Sequence, residues 1–241
     1  MNADAAALTT RAWARVAGGL YLVIIAAGLF AEAFVRDLLV ESSDAAMTAA
    51  NIQAHQLLFR AGILADLATF VCALPLAVIL YWLLRPVNRH VALLMLVFNV
   101  VQDAIGSLNA LNTYQPLQML ASQPLRGAFS ADQLQALVLL SLGAHSVGFG
   151  FALIFFGCSC LALGYLIRAS ESFPRILGVL MALAGVCYLV NSYVLILSPR
   201  TAAVLFPSIL APAFIGELAF ALWLAVKGID GPVHTEATAP G

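Results

Sequence analysis

Residues 58–84 read LFRAGILADLATFVCALPLAVILYWLL, and only Arg60 and Asp66 in this stretch are charged. As an α-helix, a stretch of this length would be about 40 Å long. That exceeds the hydrocarbon core of a bilayer, which is about 30 Å thick. Because lipid offers the backbone no hydrogen bonds, only a helix satisfies such a segment there. The stretch therefore predicts a transmembrane helix.

Five more stretches share this length and composition; they cover residues 13–34, 91–113, 142–167, 176–197 and 204–226. None shows the ten-residue alternation of a β-barrel strand. Over the whole chain 63% of residues are hydrophobic and 10% are charged, whereas a soluble domain is about 25% charged. We predict an all-α fold, a polytopic membrane helix bundle with six transmembrane helices over residues 13–227, placed as a multi-pass protein in the cell membrane.

The basic residues predict the orientation, since Lys and Arg are enriched at the cytoplasmic ends of spans. Seven of the 11 fall on the side that carries both termini, and four fall on the other side. We therefore expect both termini in the cytoplasm, with residues 1–12 as a cytoplasmic segment and residues 228–241 as a disordered cytoplasmic tail. Arg11 and Arg15 could begin a signal peptide, but the first stretch is longer than usual for one, so we expect it to be retained.

Small and capping residues predict local features. Ser43-Asp44 and Ser130-Ala-Asp132 are typical helix N-caps, and they predict short amphipathic helices leading into the second and fourth spans. Glycines recur every seven residues along the fourth span, which keeps them near one stripe where another backbone can approach. This stripe predicts close packing inside the bundle or, alternatively, a homodimer through Gly143, Gly150, Gly157 and Gly164.

Polar residues inside the spans are costly, so each needs a reason. On the third span they form one helical face: Asn99, Gln102, Asp103, Gly106 and Asn109. The other spans contribute Glu32, Asp66, His145, Tyr188, Asn191 and Glu217. With the predicted orientation, most of these groups lie in the outer half of the bilayer and Glu217 lies near its middle. They predict one acid-rich pocket at that depth.

The charges of this set do not balance. It holds four carboxylates, and the cationic candidates expected near them are Arg60 and His145. An unpaired carboxylate at a helix centre costs about 2.5–3.5 kcal/mol. Some acids must then be protonated, hydrated or close to a bound cation. The alternative is that the polar residues are hydrogen-bonding contacts between helices, worth about 0.6 kcal/mol a pair.

Three functions are compatible with this pattern. The first is binding, and acid/base conversion, of a lipophilic small molecule, with Asp103 and Asp66 as the acid/base pair because burial favours a neutral carboxyl group that can donate a proton. Glu217 and His145 would assist, and the ligand would contact Glu32, Asn99, Gln102, Asn109, Tyr188 and Asn191. The second is proton- or cation-coupled transport by the same acids. The third is a non-catalytic accessory or scaffold subunit.

The sequence limits the possible classes of binding partner more than it limits the possible reactions. A formal net charge of −1 gives no basic field for nucleic acid, whereas the apolar spans make membrane lipids obligatory partners. No metal-ligating or cofactor-binding motif is present, so the cofactor stays unknown and enzyme activity stays open.

Five segments together resemble a bacterial domain-of-unknown-function family (4386) of small multi-helix integral membrane proteins. They are residues 14–21 (ARVAGGLY), 58–66 (LFRAGILAD), 84–89 (LRPVNR), 129–137 (FSADQLQAL) and 173–179 (FPRILGV). The resemblance covers residues 11–227 and implies one membrane domain with a retained first span. It also implies that Asp66 and the helix around His145 are recurring elements, and it implies no activity.

Overall fold

The computed structural model describes residues 3–229, with side chains described from Thr10 onward. These residues form ten α-helices, a π-helical segment and a short 3₁₀ turn. The α-helices are α1 (Ala3–Leu29), α2 (Asp37–Leu39), α3 (Ala45–Ala54), α4 (Gln56–Leu84), α5 (Arg89–Ala121), α6 (Gln123–Ala128), α7 (Ala131–Ala169), α8 (Arg175–Leu197), α9 (Pro199–Leu205) and α10 (Ala211–Val226). The π-helical segment Phe30–Arg36 joins α1 to α2, and the 3₁₀ turn Ser208–Leu210 precedes α10.

Six helical segments of the described chain are long and apolar enough to cross a membrane: Thr10–Leu39, Gln56–Leu84, Arg89–Ala121, Ala131–Ala169, Arg175–Leu197 and Ser208–Val226. The predicted all-α, six-span fold is confirmed. Both termini in the cytoplasm stay a prediction, and so do the boundaries of the terminal segments. The predicted disordered tail lies outside the described residues, apart from Gly228 and Ile229.

The connections before the second and the fourth span differ from each other. Asp44 caps α3 as predicted, since its side chain accepts a hydrogen bond from the Met47 backbone N–H at 2.8 Å. Ser130 also caps a helix, and its backbone N–H donates to Gln133 Oε1 at 2.9 Å, which completes a capping box. That helix is α7 itself, which runs unbroken to Ala169. The separate short helix predicted before the fourth span is therefore wrong.

Two compact units make up the described chain. Unit one contains residues 3–23, 72–103 and 150–229, and unit two contains residues 24–71 and 104–149. The hydrophobic core of unit two consists of Val35, Leu39, Ile52, Phe59, Ile63, Leu117, Val138 and Leu142.

In unit one, glycines bring helices α7 and α8 together. A Cβ atom added to Gly157 would lie 2.9 Å from the backbone oxygen of Gly185, and one added to Gly164 would lie 2.7 Å from that of Gly178. Neither position has room for a side chain, because both neighbours are backbone atoms. The close packing predicted from the glycine spacing is thus present within the chain.

The other two glycines of the stripe lie in different surroundings. A Cβ on Gly150 would lie 2.6 Å from Leu195 Cδ2 of α8, whereas one on Gly143 would meet nothing within 4 Å. Three of the four glycines therefore already face α8 of their own chain. A second copy of the chain could not use the whole stripe without displacing that helix.

Candidate functional site

Arg36 connects two of the predicted site carboxylates in unit two. Its Nε donates to Glu32 Oε2 at 2.5 Å, and its Nη1 and Nη2 donate to Asp66 Oδ2 and Oδ1 at 2.6 and 3.2 Å. The Asp66 contact is the bidentate pairing that suits a planar guanidinium. Both partners of this contact are largely buried, with side chains 18% and 12% exposed for Arg36 and Asp66.

This ion pair corrects the prediction that the first span ends at Phe34 and that Arg60 and His145 are the nearby cations. The first span extends through Arg36 to Leu39. The spacing of Glu32 and Arg36 by four residues on one helix was the available signal, since such pairs are neighbours on a helical surface.

Glu32 and Arg36 lie on an unusual backbone segment. Phe30–Arg36 is π-helical and contains both Glu32 and Arg36. Short π-helical insertions in α-helices are rare, and they occur frequently at functional sites. The segment therefore marks this part of unit two as a candidate site.

Asn109 contacts both the backbone and the ring of His145. The Nδ2 of Asn109 donates to the His145 backbone oxygen at 2.9 Å and lies 3.1 Å from His145 Nδ1. A carbonyl oxygen only accepts, so the amide nitrogen must be the atom that faces His145. The His145 ring is therefore held against the side chain of Asn109.

Neighbouring residues hold this amide in place. Asn112 donates to Asn109 Oδ1 at 3.0 Å, and the side chain of Ser141 donates to the Asn112 backbone oxygen at 2.8 Å. Gly148 leaves space for the amide, because a Cβ there would overlap Asn109 Oδ1. Asn109 itself is buried, with 6% of its surface exposed.

The Arg36 ion pair and the Asn109–His145 contact both lie in unit two, and the charges on Arg36, Asp66 and Glu32 are close enough to affect His145. We call Glu32, Arg36, Asp66, Asn109 and His145 the unit-two cluster. In this cluster two carboxyl groups, on Glu32 and Asp66, share a single guanidinium.

Glu217 is surrounded by tyrosines in unit one. The hydroxyl group of Tyr188 donates to Glu217 Oε1, and Tyr21 lies close to the same carboxyl group. Glu217 and Tyr21 are buried, with 8% and 4% exposed. Sequence analysis chose Glu217 and Tyr188 but missed Tyr21, which in an apolar first span reads as an ordinary packing residue.

The remaining predicted residues also lie in unit one. Asn99 donates to Ser159 Oγ and to the Met95 backbone oxygen, which makes it a contact between α5 and α7. Gln102 and Asn191 are half-buried and form no side-chain hydrogen bond with another described residue.

Among the described residues, Asp103 has a buried carboxyl group that accepts no hydrogen bond. It is 3% exposed, and neither of its carboxyl oxygens has a hydrogen-bond partner among the described residues. Because a buried carboxylate without a partner is costly, we expect Asp103 to carry a proton.

Comparison with known proteins identifies the family. The model of a family described as "Domain of unknown function (DUF4386)" matches residues 16–228. The chain belongs to the DUF4386 family. An uncharacterized protein from the archaeon Archaeoglobus fulgidus is 30% identical to it over 152 residues, which cover 63% of this chain and 74% of that protein. No solved structure matches the chain.

Two cavities in this DUF4386 chain are lined by other residues. One, of about 430 Å³, lies in unit two between the ends of α3, α4 and α5 and helix α6; the other, of about 390 Å³, lies in unit one at the turn between α4 and α5. Among the described residues no three His, Cys, Asp or Glu side chains are placed to hold a metal ion. A single pocket containing all the predicted site residues stays a prediction.

Proposed function

We propose that this membrane protein binds a lipophilic small molecule at the unit-two cluster. The observation that carries the proposal is an imidazole and a half-exposed carboxylate beside a buried ion pair. The imidazole belongs to His145. The carboxylate belongs to Glu32, whose side chain is 46% exposed. A ligand hydroxyl group can donate to Glu32 Oε1 and can form a hydrogen bond with a nitrogen of the His145 ring.

Asp66 acts as an anchor in this proposal. Both of its oxygens accept hydrogen bonds from Arg36, so the position of the carboxyl group is fixed by that residue. The bidentate contact fixes the guanidinium, which in turn holds Glu32. His145 and Glu32 are then the groups that would exchange a proton with a bound hydroxyl group if the ligand is converted.

The ligand would reach this cluster from the membrane. Large apolar side chains near it are exposed on the chain, including Phe30 and Phe34 of the π-helical segment at 36% and 60%. In a bilayer such side chains face lipid, where a lipophilic molecule is concentrated. The distribution of basic residues supports a position in the outer half of the cell membrane.

Native mass spectrometry tests the proposal. The full chain, purified in a mild detergent and incubated with a total membrane lipid extract, is expected to carry an adduct of defined mass. Glu32→Leu and His145→Phe should each lose that adduct, because each removes one of the two ligand contacts. His90→Phe is the matched control, since His90 is exposed at the start of α5 and should leave the adduct in place.

Two outcomes would contradict the proposal. An adduct retained equally by all variants would place the bound molecule elsewhere. Bare spectra for the wild-type chain and every variant would favour the accessory or scaffold role. Thermal unfolding of each variant, measured in parallel, shows that a lost adduct is not a lost fold.

A second function, proton-coupled transport, is supported by Asp103. A buried carboxyl group without a partner can take up and release a proton without breaking an existing ion pair. Proteoliposomes with an enclosed pH-sensitive dye are expected to take up protons faster with the wild-type chain than with Asp103→Asn. Asp37→Asn, at an exposed position, is the control. Uptake equal to that of empty vesicles would exclude this function.

A further inference from the structure

The unit-two cavity of about 430 Å³ has both polar and apolar side chains in its lining. It is lined by Ile52, Gln53, Gln56, Leu117, Leu120, Ala121 and Arg126. These residues are different from those of the unit-two cluster, so the inference drawn here goes beyond the proposed function and does not depend on it.

The apolar side of the cavity is continuous with the hydrophobic core. Ile52 and Leu117 line the cavity and are also members of the core of unit two. Ile52 is fully buried and Leu117 is 7% exposed. An alkyl chain that enters the cavity would therefore meet Leu117 and the half-buried Leu120.

The polar side offers hydrogen-bond donors and one positive charge. Gln53, Gln56 and Arg126 are exposed, and each carries N–H donors. The Nη2 of Arg126 donates to the Ala121 backbone oxygen at 3.1 Å, which holds the guanidinium over the last turn of α5. Within residues 10–229, no carboxylate forms an ion pair with Arg126, so its charge is not neutralised by the protein.

The cavity also lies at the depth that an amphiphile needs. Gln56 begins the second membrane-spanning helix and Ala121 ends the third. Leu57, directly after Gln56, is 81% exposed, as expected for a side chain that faces lipid. A polar head group would then lie at the membrane surface and its chain would lie in the apolar layer.

We infer that this cavity binds a single-chain amphiphile with a carboxylate or phosphate head group. Arginine is suited to both groups because its guanidinium forms paired hydrogen bonds with either. The volume lies near the lower end of the range of ligand sites, about 300–1,000 Å³, which favours one alkyl chain over two. The head group contacts Arg126, Gln53 and Gln56, and the chain lies along Leu117 and Leu120.

Binding of three probes with the same chain length tests this site. Palmitate, hexadecyl phosphate and hexadecanol are titrated against the full chain in a nonionic detergent and followed by native mass spectrometry. The two anions are expected to bind at least tenfold more tightly than the alcohol, since a hydrogen bond to a charged group has about that effect. Whichever anion binds more tightly identifies the head group.

Variants of the chain distinguish the contribution of the Arg126 charge to binding from that of the apolar lining residues. Arg126→Gln should remove the preference for the anions and leave hexadecanol binding unchanged. Ala121→Phe, at an exposed lining position, should weaken all three probes by filling the cavity. Arg200→Gln, at an exposed arginine of α9, should change nothing.

Equal affinity of the wild-type chain for palmitate and hexadecanol, or an anion preference that survives Arg126→Gln, would overturn the inference. So would the absence of binding of all three probes. A thermal unfolding midpoint within a few degrees of wild type confirms that each variant is folded.

Discussion

The Arg36→Met variant is expected to lose about 3–5 kcal/mol of its free energy of unfolding, the usual cost of removing one partner of a buried ion pair. Methionine keeps much of the volume of the arginine side chain but leaves Glu32 and Asp66 without a cation. Leaving Asp66 without a cation costs more than leaving Glu32 without one, because the Asp66 side chain is 12% exposed whereas that of Glu32 is 46% exposed. Reversible unfolding in mixed detergent and dodecyl sulfate measures the loss.

Two further variants test whether this loss of stability comes from the unpaired carboxyl groups. Arg60→Met changes an exposed arginine of α4 and should alter stability by less than about 0.5 kcal/mol. The triple variant Arg36→Met, Glu32→Gln, Asp66→Asn removes the two negative charges together with the positive one, and it should recover much of the stability. A loss for Arg36→Met no larger than that for Arg60→Met would show that water, rather than Arg36, stabilises the two carboxylates.

The six spans could be predicted because hydrophobic length is a local property of the sequence. The residues at which the spans end were harder to predict. The hydropathy of the first stretch falls at Arg36 and Asp37, so the predicted span ended at Phe34, although the helix continues. The partner that compensates for Arg36 is Asp66, 30 residues away, and no local pattern identifies it.

For the candidate site, too, the sequence predicted the polar residues but not their partners. Asn99, Asp103 and Asn109 were found because a polar residue in an apolar helix is conspicuous. Within its own unit, Asn99 binds Ser159 and Asn109 binds His145, both on α7. Which acid would be paired and which would be left without a partner depends on the rotation of each helix, and the sequence does not determine that rotation.

The second large effect is expected for Gly157→Leu on helix α7. A Cβ at this position would already lie 2.9 Å from the backbone oxygen of Gly185 and 3.0 Å from Leu189 Cγ. A leucine adds three more carbon atoms, so α7 and α8 must move apart. Overpacking of a core costs about 1–3 kcal/mol, and more where the neighbour is backbone. We expect a loss at the upper end of this range, or failure to fold, measured by thermal unfolding in detergent.

Gly143→Leu is the control on the same helix and in the same seven-residue series, because a Cβ there meets nothing within 4 Å. It should leave the unfolding midpoint within a few degrees of wild type. If instead both variants unfold normally and both convert a dimer to a monomer in size-exclusion chromatography with light scattering, the glycine stripe joins two copies. If only Gly157→Leu loses stability, and it does so at every protein concentration, the contact lies within one chain. Because a loss caused by separated subunits would depend on concentration, dilution distinguishes the two explanations.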